Sequence, residues 1–128
     1  MEILIKIYRA DRHPLFPDGG KLTPYLELLQ AGALINIDGP HGKFSYSRGF
    51  VNIVDEEPFA VKKLVMVAGG SGIAPIYNVI NEIVRDKEDP VEIVVLCCHK
   101  TVEDILLKEE LEKLRGRIKV YYMIDQKK

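Results

Sequence analysis

The sequence predicts an α/β protein, with short strands and turns in its first part and a parallel β-α-β-α-β sheet in its second. Three observations predict the sheet. LVMVA and VEIVVLCC are compact apolar runs, with RIKVYYMID as a third strand-like segment. An amphipathic stretch separates each pair of runs. The turn AGGSG joins the first run to the first amphipathic stretch.

The elements follow in order. EILIKIY alternates Ile3, Ile5 and Ile7 with Glu2, Leu4 and Lys6, the two-residue period of a strand. HPLFPDGG, with two prolines and a glycine pair, is turn material. LTPYLELLQAG spaces Leu22, Leu26 and Leu29 for a short helix, with Thr23 as N-cap before Pro24 and Gly32 closing it. LINID, a GPHG turn, KFSY and FVNIV follow, and the charged DEEPFAVKK, broken by Pro58, marks a boundary between two units, 1–57 and 58–128.

Beyond the boundary, LVMVA leads through the glycines into a helix with Ile76, Val79, Ile80 and Ile83 on one face. RDKEDP breaks the chain before the second strand. TVEDILLKEELEKLRG reads as one helix, with a capping-box spacing from Thr101 to Asp104, a Leu107, Leu111, Leu114 stripe and Gly116 as its stop.

Bulk properties narrow the function. At 128 residues, 47% hydrophobic and 29% charged, the chain has the profile of a folded soluble domain rather than a disordered one. A net charge of -1 offers no pull toward nucleic acid or an anionic membrane. No apolar run approaches the roughly 20 residues that span a bilayer. The acidic start after Met1 does not read as a signal peptide. Cys97 and Cys98 are adjacent, which suggests reduced thiols and a cytoplasmic or cytosol-facing setting. Together with His99 they lack metal-ligand spacing, so the reading is two buried thiols and an exposed histidine, with no metal. His13 and His41 fall in turns and receive no catalytic role.

Gly69, Gly70 and Gly72 sit where a parallel strand meets a helix. Glycine there admits positive φ and lets a ligand approach the main chain, and the helix N-terminus favours an anion such as a pyrophosphate. Pro75 suits the first helical turn. A tight connection without ligand uses the same residues. G-G-S-G is neither the G-x-G-x-x-G fingerprint nor a phosphate loop, which needs a lysine.

Strand, A-G-G-S-G-I-A-P and apolar helix together resemble the pyridine-nucleotide lobe of the ferredoxin–NADP⁺ reductase superfamily. The nearer resemblance is to NADH–cytochrome b5 reductases and the flavin domains of eukaryotic nitrate reductases, and it extends over essentially the whole chain. The stretch through GGKLT is similar to the family's flavin motif, DGPHGKFSY to its G-P-x-G-x-[FL]-x-Y segment, and EDILLKEELEKLR and RIKVYYMID follow in the family's order. The resemblance implies the end of an antiparallel flavin-binding β-barrel, then a partial doubly wound nucleotide-binding sheet.

It also implies the cofactors FAD and NADH. Gly20, Lys21, Leu22 and Thr23 match the segment around the FAD pyrophosphate, although by pattern alone Thr23 is a helix cap. Leu4, Lys6 and Tyr8 match positions bordering the flavin, Lys6 otherwise reading as an exposed strand residue. Arg9 stands where the family usually carries an aromatic, and Ala74 where some members carry threonine. Gly69, Gly70, Ser71, Gly72 and Pro75 match the NADH-binding turn. Asp125 matches an acidic residue that selects NADH by repelling a 2′-phosphate; unaided, it reads as a turn residue. In the family, the strand end that His99 matches comes near the adenine side of the dinucleotide.

The implied reaction is hydride transfer from NADH to flavin, then single electrons to a haem protein such as cytochrome b5 or a haem domain of the same polypeptide. No acid–base pair is needed, so no catalytic residue is assigned. The family's R-x-Y-[TS]-x-x-[ST] and C-G-P-P motifs fall outside these 128 residues. The expectation is that the chain alone neither holds FAD tightly nor turns over; the alternative is a non-catalytic dinucleotide-binding or interaction module.

Overall fold

The computed structural model describes residues 3–12, 14–39 and 41–125. Glu2 of the first alternating segment, His13 and Pro40 of the GPHG turn lie outside the described residues. The polypeptide divides into two compact units, Met1–His41 and Gly42–Lys128.

In the first unit, α1 (Leu22–Leu28) is the regular element among the described residues. It starts from Lys21, without a side-chain cap, and ends where Leu29 turns extended (φ -68°, ψ 133°). The helix therefore stops short of Gly32, which sits in the following turn at φ +95°. Thr23 is not the N-cap: its Oγ1 accepts the Tyr8 N–H at 3.1 Å, tying the helix to the 3–9 segment. That segment lies without a ladder partner among the described residues, and so does LINID. Their two-residue alternation is real, but alternation becomes a strand only when a neighbour completes its hydrogen bonds. Ile3, Ile5, Leu22, Tyr25, Leu26 and residues 34–37 line an apolar pocket of about 430 Å³.

The second unit holds two three-stranded sheets. β1 (Phe44–Ser47), β2 (Phe50–Ile53) and β3 (Phe59–Ala60) form an antiparallel meander. Arg48 and Gly49 join β1 to β2 with φ of 43° and 84°. Two successive left-handed residues match the twist of the flanking strands. β4 (Lys63–Gly69), β5 (Glu92–His99) and β6 (Ile118–Ile124) form a parallel sheet in that order. The crossovers carry α2 (Ile73–Arg85) and α3 (Lys108–Lys113).

One face of the parallel sheet is the core. Ala68 of β4, Ile93, Val95 and Cys97 of β5, and Ile118 and Val120 of β6 are buried with Ile73, Ile80 and Ile83 of α2 and Leu111 of α3. Ile76 and Val79, expected on the buried face of α2, pack partly buried against that cluster.

The long helix expected from Thr101 to Gly116 is cut to Lys108–Lys113. Leu107 stands in the left-handed region (φ 54°) immediately before it. Leu106, Leu107 and Leu114 all pack against the core. Neighbouring residues point about 100° apart on a helix, so Leu106 and Leu107 reach one core together more readily from a turn. Thr101 Oγ1 bonds the Asp104 carboxylate at 3.0 Å within that turn, rather than capping a helix.

Candidate functional site

The glycine turn lies at the C-terminal edge of the parallel sheet, where ligands of open α/β sheets bind. β4 ends at Gly69, a single 3₁₀ turn spans Gly70–Gly72, and α2 starts at Ile73. Gly70 has φ +51°, which accounts for glycine there. A Cβ added at Gly69, Gly70 or Gly72 would meet nothing within 4 Å. Packing inside the protein therefore does not demand these glycines, and the space beside the main chain is open to a ligand. No side chain caps α2; its Ile73 N–H donates back to the Gly70 and Ser71 carbonyls, and the following first-turn N–H groups and the positive end of its dipole face the same edge. Ser71 is half-buried and Pro75 exposed in this turn, and Ala74 lies in the first turn of α2 with them. These residues fit the pyrophosphate of a dinucleotide.

Asp125 follows β6, exposed, and its N–H donates to the His99 carbonyl at 3.0 Å. This bond holds the ends of β5 and β6 together at the same edge as the glycines. His99 itself is buried at 6% exposure, contrary to the expected exposed histidine. β5 alternates buried and half-buried along its length, and position 99 falls on the helix-covered face with Cys97. Cys97 is buried as expected; Cys98, on the other face, is half-buried rather than buried. Burial pushes the Cys97 thiol up, so it stays protonated.

In the first unit, Lys6 holds its ammonium 5.6 Å from the centre of the Tyr8 ring, and both side chains are exposed. The Gly20 N–H donates to the Tyr8 carbonyl at 2.8 Å, and a Cβ on Gly20 would crowd Tyr8 at 3.1 Å. A Cβ at Gly20 would require Tyr8 to give by a few tenths of an ångström, so this glycine sits in close packing with the chain itself. Arg9 is exposed and forks onto Glu27, one of its two bonds measuring 2.8 Å. Leu4, Lys21 and Leu22 are exposed. An exposed aromatic with two lysines suits an anionic aromatic cofactor, and FAD is of that kind. The Arg9 guanidinium and the Thr23 oxygen are already engaged within the protein.

Sequence reasoning missed a polar network at the base of the second unit. Tyr46 donates its hydroxyl to Asp89 Oδ2 at 2.6 Å and accepts the Gly49 N–H at 2.7 Å. Asp89, 5% exposed, accepts the Val91 N–H through Oδ1 at 3.0 Å. Arg117 donates to the carbonyls of Asp89 (2.6 Å) and Val91 (2.8 Å). Burial foremost, then the bond to Asp89, pushes the Tyr46 phenol up to about 12. Arg48 adds bonds to Asp86 (2.8 Å) and Glu88 (3.1 Å). The network fastens the β1–β2 hairpin to the segment entering β5. Its partners are far apart in sequence, and no spacing rule points to it.

Among the described residues, no group of three or more His, Cys, Asp or Glu is placed to hold a metal. No helix among them is long and apolar enough to cross a membrane.

Residues 1–46 match the oxidoreductase FAD-binding domain family, and residues 66–128 the oxidoreductase NAD-binding domain family. Over 132 residues the chain is 42% identical to nitrate reductase (NADH) 1 of Oryza sativa, covering 99% of this chain and 14% of that protein. Over 128 residues it is 43% identical to nitrate reductase (NADH) 1 of Nicotiana tabacum, again 14% of that protein's length. The crystal structure of the cytochrome b5 reductase domain of Ulva prolifera nitrate reductase superposes with a TM-score of 0.87 at 38% identity, covering 95% of this chain and 48% of that one.

Proposed function

From a chain that belongs to the FAD- and NAD-binding oxidoreductases of nitrate reductase and cytochrome b5 reductase type, we propose a part of an electron-transfer enzyme that takes hydride from NADH. Residues 1–57 end the flavin-binding portion, and residues 58–128 begin the nucleotide-binding portion. FAD, when bound, supplies the conversion of a two-electron donor into single electrons. The chain's own residues bind and orient. Gly69, Gly70, Ser71, Gly72 and Pro75 receive the dinucleotide, and Asp125 disfavours a 2′-phosphate by charge. Leu4, Lys6, Tyr8, Gly20, Lys21, Leu22 and Thr23 hold the flavin side, with Arg9 a weaker candidate because Glu27 occupies its fork. The electrons pass to a haem acceptor, cytochrome b5 or a haem domain of the same polypeptide, in the cytosol.

The observation that carries this reading is the open glycine turn at the C-terminal edge of the parallel sheet, before an uncapped helix. The test is a titration of the ¹⁵N-labelled chain with NADH, with a parallel mixture with FAD passed through gel filtration. Shifts at the Gly69, Gly70 and Gly72 amides are expected, weaker with NADPH. Unmoved glycines refute dinucleotide binding at this turn. Flavin absorption that survives filtration and bleaches anaerobically with NADH adds the redox step. A colourless protein with shifted glycines leaves the chain as a dinucleotide-binding module without redox chemistry of its own.

A further inference from the structure

Asp38 and Gly39 follow the pocket-lining residues 34–37 in the first unit, and the cofactor reading uses neither. The Asp38 side chain is 97% exposed, and the His41 ring holds Nε2 3.1 Å from its Oδ2. Gly39 sits at φ +137°, a conformation that glycine adopts freely. Its N–H meets no backbone acceptor among the described residues. A carboxyl group, an unengaged amide nitrogen and an imidazole are therefore neighbours in an exposed connection.

The other Asp–Gly pair of the chain, Asp18–Gly19, is built differently. The Gly19 N–H donates to the Phe16 carbonyl at 3.1 Å. A Cβ built on Gly19 would stand 2.6 Å from the Tyr8 carbonyl oxygen and 2.7 Å from the Ala10 nitrogen, so the main chain there is tightly packed. At Gly39 the nearest atom to such a Cβ is the His41 nitrogen, at 3.3 Å. An engaged N–H attacks a carboxyl poorly, and close packing resists any change in main-chain length.

We propose that Asp38–Gly39 is a self-modification site, at which aspartate becomes isoaspartate through a cyclic imide, with His41 as the proton donor. The Gly39 nitrogen attacks Asp38 Cγ. The N–Cγ bond forms and the Cγ–Oδ2 bond breaks. Oδ2 leaves as water, taking the proton of the Gly39 nitrogen and one from the His41 imidazolium. Water then adds to one of the two imide carbonyls. Addition at Cγ restores aspartate, whereas addition at the Asp38 main-chain carbonyl leaves the Gly39 nitrogen bonded to Cγ. The isoaspartyl product keeps the mass, gains one carbon in the main chain and carries its carboxylate on Cα. That carbon enters between the pocket-lining residues 34–37 and the unit boundary after His41. The main chain at this boundary therefore lengthens as the protein ages.

The experiment incubates the chain in mildly acidic H₂¹⁸O and maps its peptides by chromatography and mass spectrometry, with electron-transfer fragmentation to separate isoaspartate from aspartate. Isoaspartate carrying one ¹⁸O is expected at residue 38, accumulating about tenfold faster than at residue 18. His41→Ala should slow the reaction at residue 38 about fivefold and leave residue 18 unchanged. In urea the two rates should converge, because packing and hydrogen bonding no longer distinguish the two nitrogens. Equal rates in the folded chain, modification confined to residue 18, or a rate at residue 38 that His41→Ala leaves unchanged overturns the inference. A tenfold difference that persists in urea overturns it too, since the structure would then play no part.

Discussion

Replacing Tyr46 by Phe removes one oxygen and leaves the ring in place. That oxygen serves two partners, the Asp89 carboxylate at 2.6 Å and the Gly49 N–H at 2.7 Å. A hydrogen bond to a charged group contributes about 1.5–3 kcal/mol, and a buried group left without its partner costs about 1–3 kcal/mol. Asp89 and Gly49 are both buried, so both would lose a bond that water replaces poorly. Tyr46 itself is half-buried, and water entering beside the ring would recover part of the loss. The net expectation is a destabilisation of about 2 kcal/mol. With a urea m-value of about 2 kcal/mol/M, the unfolding midpoint, followed by circular dichroism, should fall by about 1 M. Amide exchange should accelerate most at Gly49 and Val91, whose N–H groups bond within the network. A loss below about 0.5 kcal/mol, or acceleration spread evenly over both sheets, would refute the argument. The network also has a pH signature. The Tyr46 phenol is raised from 10.0 to about 12, so its protonated form is favoured by folding. That stability is complete below pH 10 and is lost as pH rises toward 12; the Phe variant should lose this part of the alkaline decline.

Leu111→Ala removes a fully buried side chain from the core and should cost about 2–5 kcal/mol, read by the same urea titration. Gly70→Ala meets open space but must hold φ +51°, so stability should fall by only about 1 kcal/mol while NADH-dependent amide shifts at the turn are lost. Asp125→Ser should narrow the preference for NADH over NADPH by about tenfold in the two nucleotides' dissociation constants. Glu92 bridges Lys119 at 2.6 Å and Lys63 at 3.4 Å, and these cations hold its carboxyl below the ordinary 4.5. Its contribution is present above pH 4.5 and fades on acidification below that, and Glu92→Gln should abolish this part of the acid dependence of the unfolding midpoint.

The parallel sheet, the glycine turn and the helix behind it are legible in the chain. Each rests on local chemistry: apolar runs such as LVMVA and VEIVVLCC, glycines where φ turns positive, and isoleucines repeating along α2. The family resemblance was legible for the same reason, since its motifs are contiguous. The remaining features depend on partners distant in the chain. EILIKIY alternates correctly yet lacks a ladder among the described residues, because a strand is a property of two segments. Leu107 breaks the expected helix, because packing Leu106 and Leu107 on one core outweighs a local helical pattern. Tyr46 meets Asp89 across 43 residues, and His99 is buried rather than exposed, through contacts that the spacing of residues along a chain does not encode.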